Sequence, residues 1–550
     1  MTPPGSVGWM LHPFVPLAER VIDALLDSDP VLAHYAGDHR NDHALPDLSP
    51  DAVRNRITML RDASHSLVQL DTEHLTPQEQ VDHHLLTRLV ERQLFELEDI
   101  RAYEWHPLVH NPGPLLHGQL SRTYAPVADR LEAVIARLEG LPDALLTATG
   151  VLDDCPKIHL ETAIGQFAGV AALIRDQVPA MAEQVPGLVG QSADAVGVAL
   201  VALSQFDQWL KERLAEPGEG RDPRLGRPLW EARLWHTLDS ELSAADVLDR
   251  AWANLDRVTE EIREAAGELI GADLGGDATV RRALDQIGAD CPDDDTIVDQ
   301  ARDTLLEATA FVKDHDLVGL IDDPCEIMVM PEFARGIAVA YCDAPGPLET
   351  ADVPTFYAIS PTPAGWSPER VASFYREYNN QMIRNLTVHE AMPGHFLQLA
   401  HSRRYAGSSR TRALCRSGSF CEGWAVYAEE FMVGHGFGGL PVRIQQLKMQ
   451  LRMSINAILD QLVHCEAMTE ADGMRLMTER GFQEDGEAAG KWRRALLTST
   501  QLSTYFVGYT EVSAAAGTRP EGRSLREWHD AMLSHGSPAP RHLKTLLSKT

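Results

Sequence analysis

Positive charge is scarce in this chain of 550 residues: Lys and Arg total 49 against 80 Asp and Glu, a formal net charge of −31 at pH 7. A field of that sign repels nucleic acid and anionic membrane, so neither is an expected partner. Long apolar runs are missing as well. No stretch of about 18 uninterrupted apolar residues offers a membrane span, and the opening MTPPGSVGWMLHPF lacks the basic segment and apolar core of a secretory signal. Cysteine is sparse, with 7 residues scattered along the chain, an odd number that does not suit a disulfide framework. Together these absences predict a cytoplasmic protein. Nor is there a repeat of about 20–50 residues, the usual signature of a helical solenoid.

What is present is an ordinary globular composition, 44% hydrophobic and 23% charged, set mostly at helical period. In QVDHHLLTRLVERQLFELEDI, residues Val81, Leu85, Leu86, Leu89, Val90, Leu94 and Leu97 fall on one face. Ser243, with Asp246 three residues on, predicts the N-cap of another long helix. The Asp-rich GADCPDDDT lacks the ligand alternation and glycine of a calcium loop and is expected to cap a helix beginning near Thr296. One region differs: EIMVMP, GIAVAYC and TFYAIS are short β-branched or aromatic runs between Pro and Gly turns, which predicts a small sheet.

Directly after that sheet comes TVHEAMPGHFLQLAH, residues 387–401, with His389 beside Glu390. A zinc hydrolase helix carries His-Glu-x-x-His because positions i and i+4 share a face and the glutamate then lies next to a metal-bound water. Here Pro393 stands where the second histidine belongs, and the next histidine is His395. At about 100° per residue, i and i+6 lie roughly 120° apart on a regular helix. A bulge at Pro393-Gly394 that absorbed two residues would bring His395 back beside His389. A third ligand is offered by CEGWAVYAEE, where Glu422 and Glu429 are two turns apart. Glycine at 423 was expected to let that segment approach the His-Glu helix closely. The histidines His83, His84, His106, His110 and His117 have no ligand spacing and read as structural, and Cys421 reads as a small buried side chain.

In combination, LTVHEAMPGHFLQ and EGWAVYAEE resemble the bacterial family filed as domain of unknown function 885. Its members resemble zincin-type metallopeptidases and, more distantly, the angiotensin-converting enzyme and thimet oligopeptidase group. The likeness extends over nearly the whole chain, from LAERVIDALLDSDPVLAHYAGDH through TFYAISPTPAGWSPERVASFYREYNNQMIRN to LSTYFVGYTEV. The resemblance implies that His389, His395 and Glu422 hold one Zn2+ ion and that Glu390 is the general base. Glu429 is then expected to orient a ligand histidine or pair with a cation. Where relatives often have His or Tyr after the second histidine, this chain has Phe396. The family pattern also points to Arg452, Asp460 and His464. Arg452 is a candidate clamp for a substrate carboxylate, and Asp460 and His464 form an i, i+4 pair that either serves the reaction or is structural. Tyr505 matches a Tyr-x-x-Gly position and is the expected oxyanion donor, with Tyr509 nearby.

The fold implied is mainly α, a zincin-like helical metallopeptidase with a small β-sheet beside a deep central cleft. A helical N-terminal half (1–310) and a metal-binding half (311–550) form one bilobed body. The expected activity is zinc-dependent hydrolysis of a peptide or related amide, with short peptides favoured. Three alternatives stay open: a dedicated amide hydrolase acting on a biosynthetic intermediate, a non-haem iron enzyme using the same two-His, one-carboxylate set, and a non-catalytic helical binding protein.

Overall fold

The computed structural model describes residues 14–218, 220–272, 274–330, 339–363 and 365–548. The reading of the first 13 residues and of the strand residues 336–338 lies outside them. The protein is mainly helical, with one three-stranded sheet among the described residues.

Local signals account for many of the helix starts. The Pro77–Phe95 helix opens on a capping box between Thr76 and Glu79, which satisfies backbone N–H groups that the first turn leaves unpaired. Of its expected face, Val81, Leu85, Leu86, Leu89 and Val90 are buried, and Leu94 and Leu97 pack partly buried at its end. The helices Val127–Val151, Lys157–Ala182 and Val189–Ala215 form a bundle around Leu138, Phe167 and Phe206. Residues Pro186–Ala215 are long and apolar enough to cross a membrane by length and composition. In this fold the stripe Ala195, Ala199, Leu203, Phe206 and Leu210 is buried in the bundle core instead.

Ser243 and Asp246 make the expected capping box at the head of the Ala244–Ile270 helix. That helix lies along the Gly439–Glu466 helix, and Leu255, Val258 and Ile262 share one core with Leu451, Ile455 and Ile458. That core joins residues from both sides of position 310. The Asp-rich turn behaves as a cap: Asp293 accepts bonds from Thr296 N at 3.0 Å and Thr296 Oγ1 at 2.6 Å, just before the Ile297–Asp314 helix.

Strands β1 (Cys325–Val329), β2 (Ala340–Asp343) and β3 (Thr355–Ile359) are ordered β1-β3-β2. β3 pairs parallel with β1 and antiparallel with β2. Fully buried Tyr357 ties β3 to the Asn380–Glu390 helix through a 3.2 Å bond between its hydroxyl and Thr387 Oγ1. β2, left at the sheet edge, lines the central cleft through residues 339–342.

Candidate metal centre

The Asn380–Glu390 helix ends at Glu390, and a new helix, His395–Arg403, starts at His395. The expected bulge is thus a complete break between two helices. Proline at 393 cannot continue the backbone ladder, and Gly394 is pressed against the carbonyls it turns past: a Cβ there would sit 1.9 Å from His389 O and 2.3 Å from Val388 O. The turn is bolted from outside by Trp424, fully buried, whose Nε1 donates to Pro393 O at 2.9 Å. The result is the proximity that the spacing called for. The imidazoles of His389 and His395 stand edge to face with centroids 4.8 Å apart.

Glu422 comes from the Gly418–Gly434 helix, and its Oε2 lies 3.4 Å from Nε2 of both histidines. One ligand atom from each of His389, His395 and Glu422 falls within 4.8 Å of the others. Those contacts lack hydrogen-bond geometry, so Glu422 Oε2 is buried with no hydrogen-bond partner. An orphaned carboxylate oxygen facing two ring nitrogens is costly unless a cation sits among them. The donor set fits a tetrahedral metal that keeps one open position.

The tautomer of His389 is set from behind. Glu429, almost fully buried, accepts from His389 Nδ1 at 2.6 Å and from Asn385 Nδ2 at 2.6 Å. With the proton on Nδ1, the lone pair of Nε2 faces the cluster. Burial opposes protonation of His389, but Glu422 and Glu429 outweigh it and raise its pKa well above the usual range; burial likewise resists ionisation of Glu422, whose pKa the two histidines nevertheless hold down. Glu390 differs. Burial raises its pKa, partly offset by His389, His395 and the backbone N–H of Cys342 on the edge strand.

Glycine at 423 acts elsewhere than expected. A Cβ on it would meet Gly508 C at 2.2 Å, so it brings the Ser503–Ala516 helix, rather than the His-Glu helix, against the Glu422 helix. This Gly423–Gly508 crossing holds Tyr505 in the cleft lining, where burial and the charge of Glu422 raise its pKa.

Other expected residues lie apart from the cluster. The anticipated Asp460–His464 hydrogen bond is replaced by separate anchoring. Asp460 accepts from Trp230 Nε1 at 3.0 Å, Thr500 N at 2.9 Å and Ser503 N at 3.0 Å. His464 Nε2 donates to the Ala495 and Thr498 carbonyls at 3.0 Å. Both pin the segment that leads into the Tyr505 helix, and His464 is buried away from the cleft lining. Arg452 lines the cleft, but its guanidinium is engaged by Glu377 at 2.5 Å. Tyr509 donates to Glu430 Oε2 at 2.8 Å. His401, not an expected ligand, also lies outside the cluster and faces the Gly319 carbonyl at 2.8 Å.

Sequence reasoning passed over the Asp485–Leu497 helix, which lines the cleft with Gly486, Gly490, Lys491 and Arg494; no motif marks them. It also missed a cluster of His84, Asp239 and His542. There Asp239 already faces Arg541 at 3.4 Å and Arg88 at 3.7 Å, so guanidinium charge supplies what a metal would.

Fold and site together define a mainly helical protein with a His-His-Glu cluster lining a cleft. The chain belongs to the family described as "Bacterial protein of unknown function (DUF885)", whose model matches residues 30–547. No curated protein matches the sequence. Two solved structures are similar over almost their full lengths. One, titled "The structure of a putative lipoprotein of unknown function from Shewanella oneidensis", is 26% identical with a TM-score of 0.81, covering 97% of this chain and 99% of its own. The other, "The crystal structure of the putative lipoprotein from Colwellia psychrerythraea", is 16% identical with a TM-score of 0.80, covering 98% of both chains. Both titles describe those two proteins as putative lipoproteins, whereas the sequence of this chain reads as cytoplasmic.

Proposed function

We propose that the protein is a zinc-dependent hydrolase of short peptides or related amides, with His389, His395 and Glu422 as the ligands. The observation that carries this reading is the orphaned Glu422 oxygen 3.4 Å from two imidazole nitrogens, with Glu390 and Tyr505 lining the same cleft. When bound there, zinc would polarise the scissile carbonyl and acidify a water. Glu390, buried and next in sequence to a ligand, would take the proton from that water and return it to the leaving amine. Tyr505 would donate its hydroxyl to the oxyanion. Edge strand β2 would offer main-chain groups to an extended substrate, a reading supported by the Cys342 N–H that faces Glu390. A cavity of about 430 Å³ suits a short peptide rather than a folded protein.

The test is metal analysis of protein purified without added metal, followed by a peptide-library assay with and without chelator. About one zinc per chain and chelator-sensitive cleavage are expected. Iron at that stoichiometry, or a zinc-loaded protein that cleaves nothing in the library, would overturn the reading.

A further inference from the structure

The Asp485–Leu497 helix lines the same cleft as the histidines, and the cations on and around it are unequally paired. Glu377 binds both Lys448 Nζ at 2.9 Å and Arg452 Nη2 at 2.5 Å. Glu487 is left to face Arg452 at 3.6 Å and Lys491 at 3.9 Å. Arg494 makes no ion pair within 4 Å among the described residues, although Glu422 and Glu487 are near enough for their charges to act on it. Its Nη2 donates only to neutral oxygens, Gln501 Oε1 at 2.7 Å and the Tyr505 hydroxyl at 3.3 Å. In a chain with a formal charge of −31, a cleft-lining guanidinium left without a direct ion pair is unusual, because acids are plentiful and a paired arginine is cheaper to bury.

Space accompanies the charge. Gly486 and Gly490, one turn apart on the same helix, also line the cleft, and a Cβ on either would meet nothing within 4 Å. A ligand can therefore lie against the helix backbone and reach Lys491 and Arg494. Burial pushes the Lys491 amine down to about 7, with Arg494 adding to the effect and Glu487 opposing it at 3.9 Å, so an arriving anion would favour its ammonium form. Through its hydroxyl contact Arg494 also neighbours Tyr505, the residue that feels the charge of Glu422.

We propose that Arg494, with Lys491 one turn before it, receives a carboxylate of the substrate close to the bond that is cleaved, so that the site selects peptides or amides bearing a free carboxylate. This rests on the hydrolase reading only for the word cleaved; the anion subsite itself stands on the unpaired guanidinium and the open space beside it. The planar fork of arginine suits two-point contact with a carboxylate. The carboxylate can be a C-terminus or an acidic side chain, and the same chemistry serves both.

The experiment measures binding on zinc-loaded protein carrying Glu390→Gln, which keeps the ligand from being consumed. N-acetyl-Ala-Ala-Phe is compared with its C-terminal amide and with an amide in which glutamate replaces the middle alanine. Roughly 10-fold or tighter binding of the free acid than of the plain amide is expected, falling to near parity in Arg494→Gln and recovering in part in Arg494→Lys. The glutamate amide tells the two sources apart: tight binding there assigns the subsite to a side chain, weak binding to a C-terminus. Equal binding of all three peptides by the protein with Arg494 intact, where no second variant has to fold, would overturn the inference. So would a preference that survives Arg494→Gln, since the carboxylate would then be held by the metal. A protein with Glu390 intact that hydrolyses none of these peptides, while the binding contrast persists, would overturn the reaction and leave the subsite standing.

Discussion

At the scale of single residues, Glu390 and Glu429 are both close to His389 but face it from different sides, and this sets their roles. Glu429 holds Nδ1, whereas Glu390 faces the Cys342 N–H and feels both histidines. Glu390→Gln, which keeps shape and removes basicity, should retain zinc at wild-type stoichiometry and lower kcat by about 10²–10⁴-fold; near wild-type turnover by the zinc-loaded variant would rule Glu390 out as the base. Glu422→Ala removes a carboxylate that faces both Nε2 atoms, and metal content after dialysis against a competing chelator should fall to a small fraction. Glu429→Ala removes only the partner behind His389, for which losses of about 10–100-fold in affinity are typical. The reverse order, in proteins with matching circular dichroism, would transfer the ligand role to Glu429.

At the scale of elements, the centre depends on two joints that hold backbones closer than side chains allow. One is the turn at Pro393-Gly394, locked by Trp424; the other is the Gly423–Gly508 crossing. Gly423→Ala would force its Cβ to within 2.2 Å of Gly508 C, with no flexible side chain to yield. Such overpacking costs about 1–3 kcal/mol, so Tm should drop, and kcat should fall further than zinc content because the joint carries Tyr505. Gly165→Ala, in a helix where an added Cβ meets nothing within 4 Å, should instead stabilise by about 1 kcal/mol. Equal Tm changes in the two variants would show that the crossing is not a constraint.

These joints also explain what could be seen in the sequence and what could not. The capping boxes at Thr76 and Ser243 and the buried face of 81–90 were legible because they depend on neighbours three or four residues away. The pairing of His389 with His395 was legible as a need, from the histidine that was out of register, but not as a helix break, because the lock on Pro393 comes from Trp424 in another segment. Asp460 and His464 misled for the converse reason. Their i, i+4 spacing permits a bond, yet each finds better partners in residues 495–503, which only the tertiary fold supplies. Arg494 left no signal at all, since its significance lies in the lack of a direct ion-pair partner, and a missing spatial contact cannot be read along a chain.

At the scale of the whole molecule, the charge of −31 and the Lys491–Arg494 pair in the cleft would act on the same substrate at different ranges. The global field reaches solvent over a Debye length of about 30 Å at 0.01 M salt but only about 8 Å at 0.15 M. An anionic peptide approaching at low salt is repelled before it can feel Arg494, which is partly buried and therefore little screened once contact is made. Raising salt from 0.01 to 0.15 M should thus increase kcat/KM for the free-acid peptide several-fold, chiefly through faster association. It should leave the neutral amide nearly unchanged and reduce kcat/KM for a peptide carrying lysine. The sign is informative because most charged enzyme–substrate pairs are optimised for attraction and lose rate as salt rises. A fall in kcat/KM for the acid peptide over this range would mean that the Lys491–Arg494 pair dominates the potential at the cleft mouth, and that the acidic residues are disposed too far from it to matter.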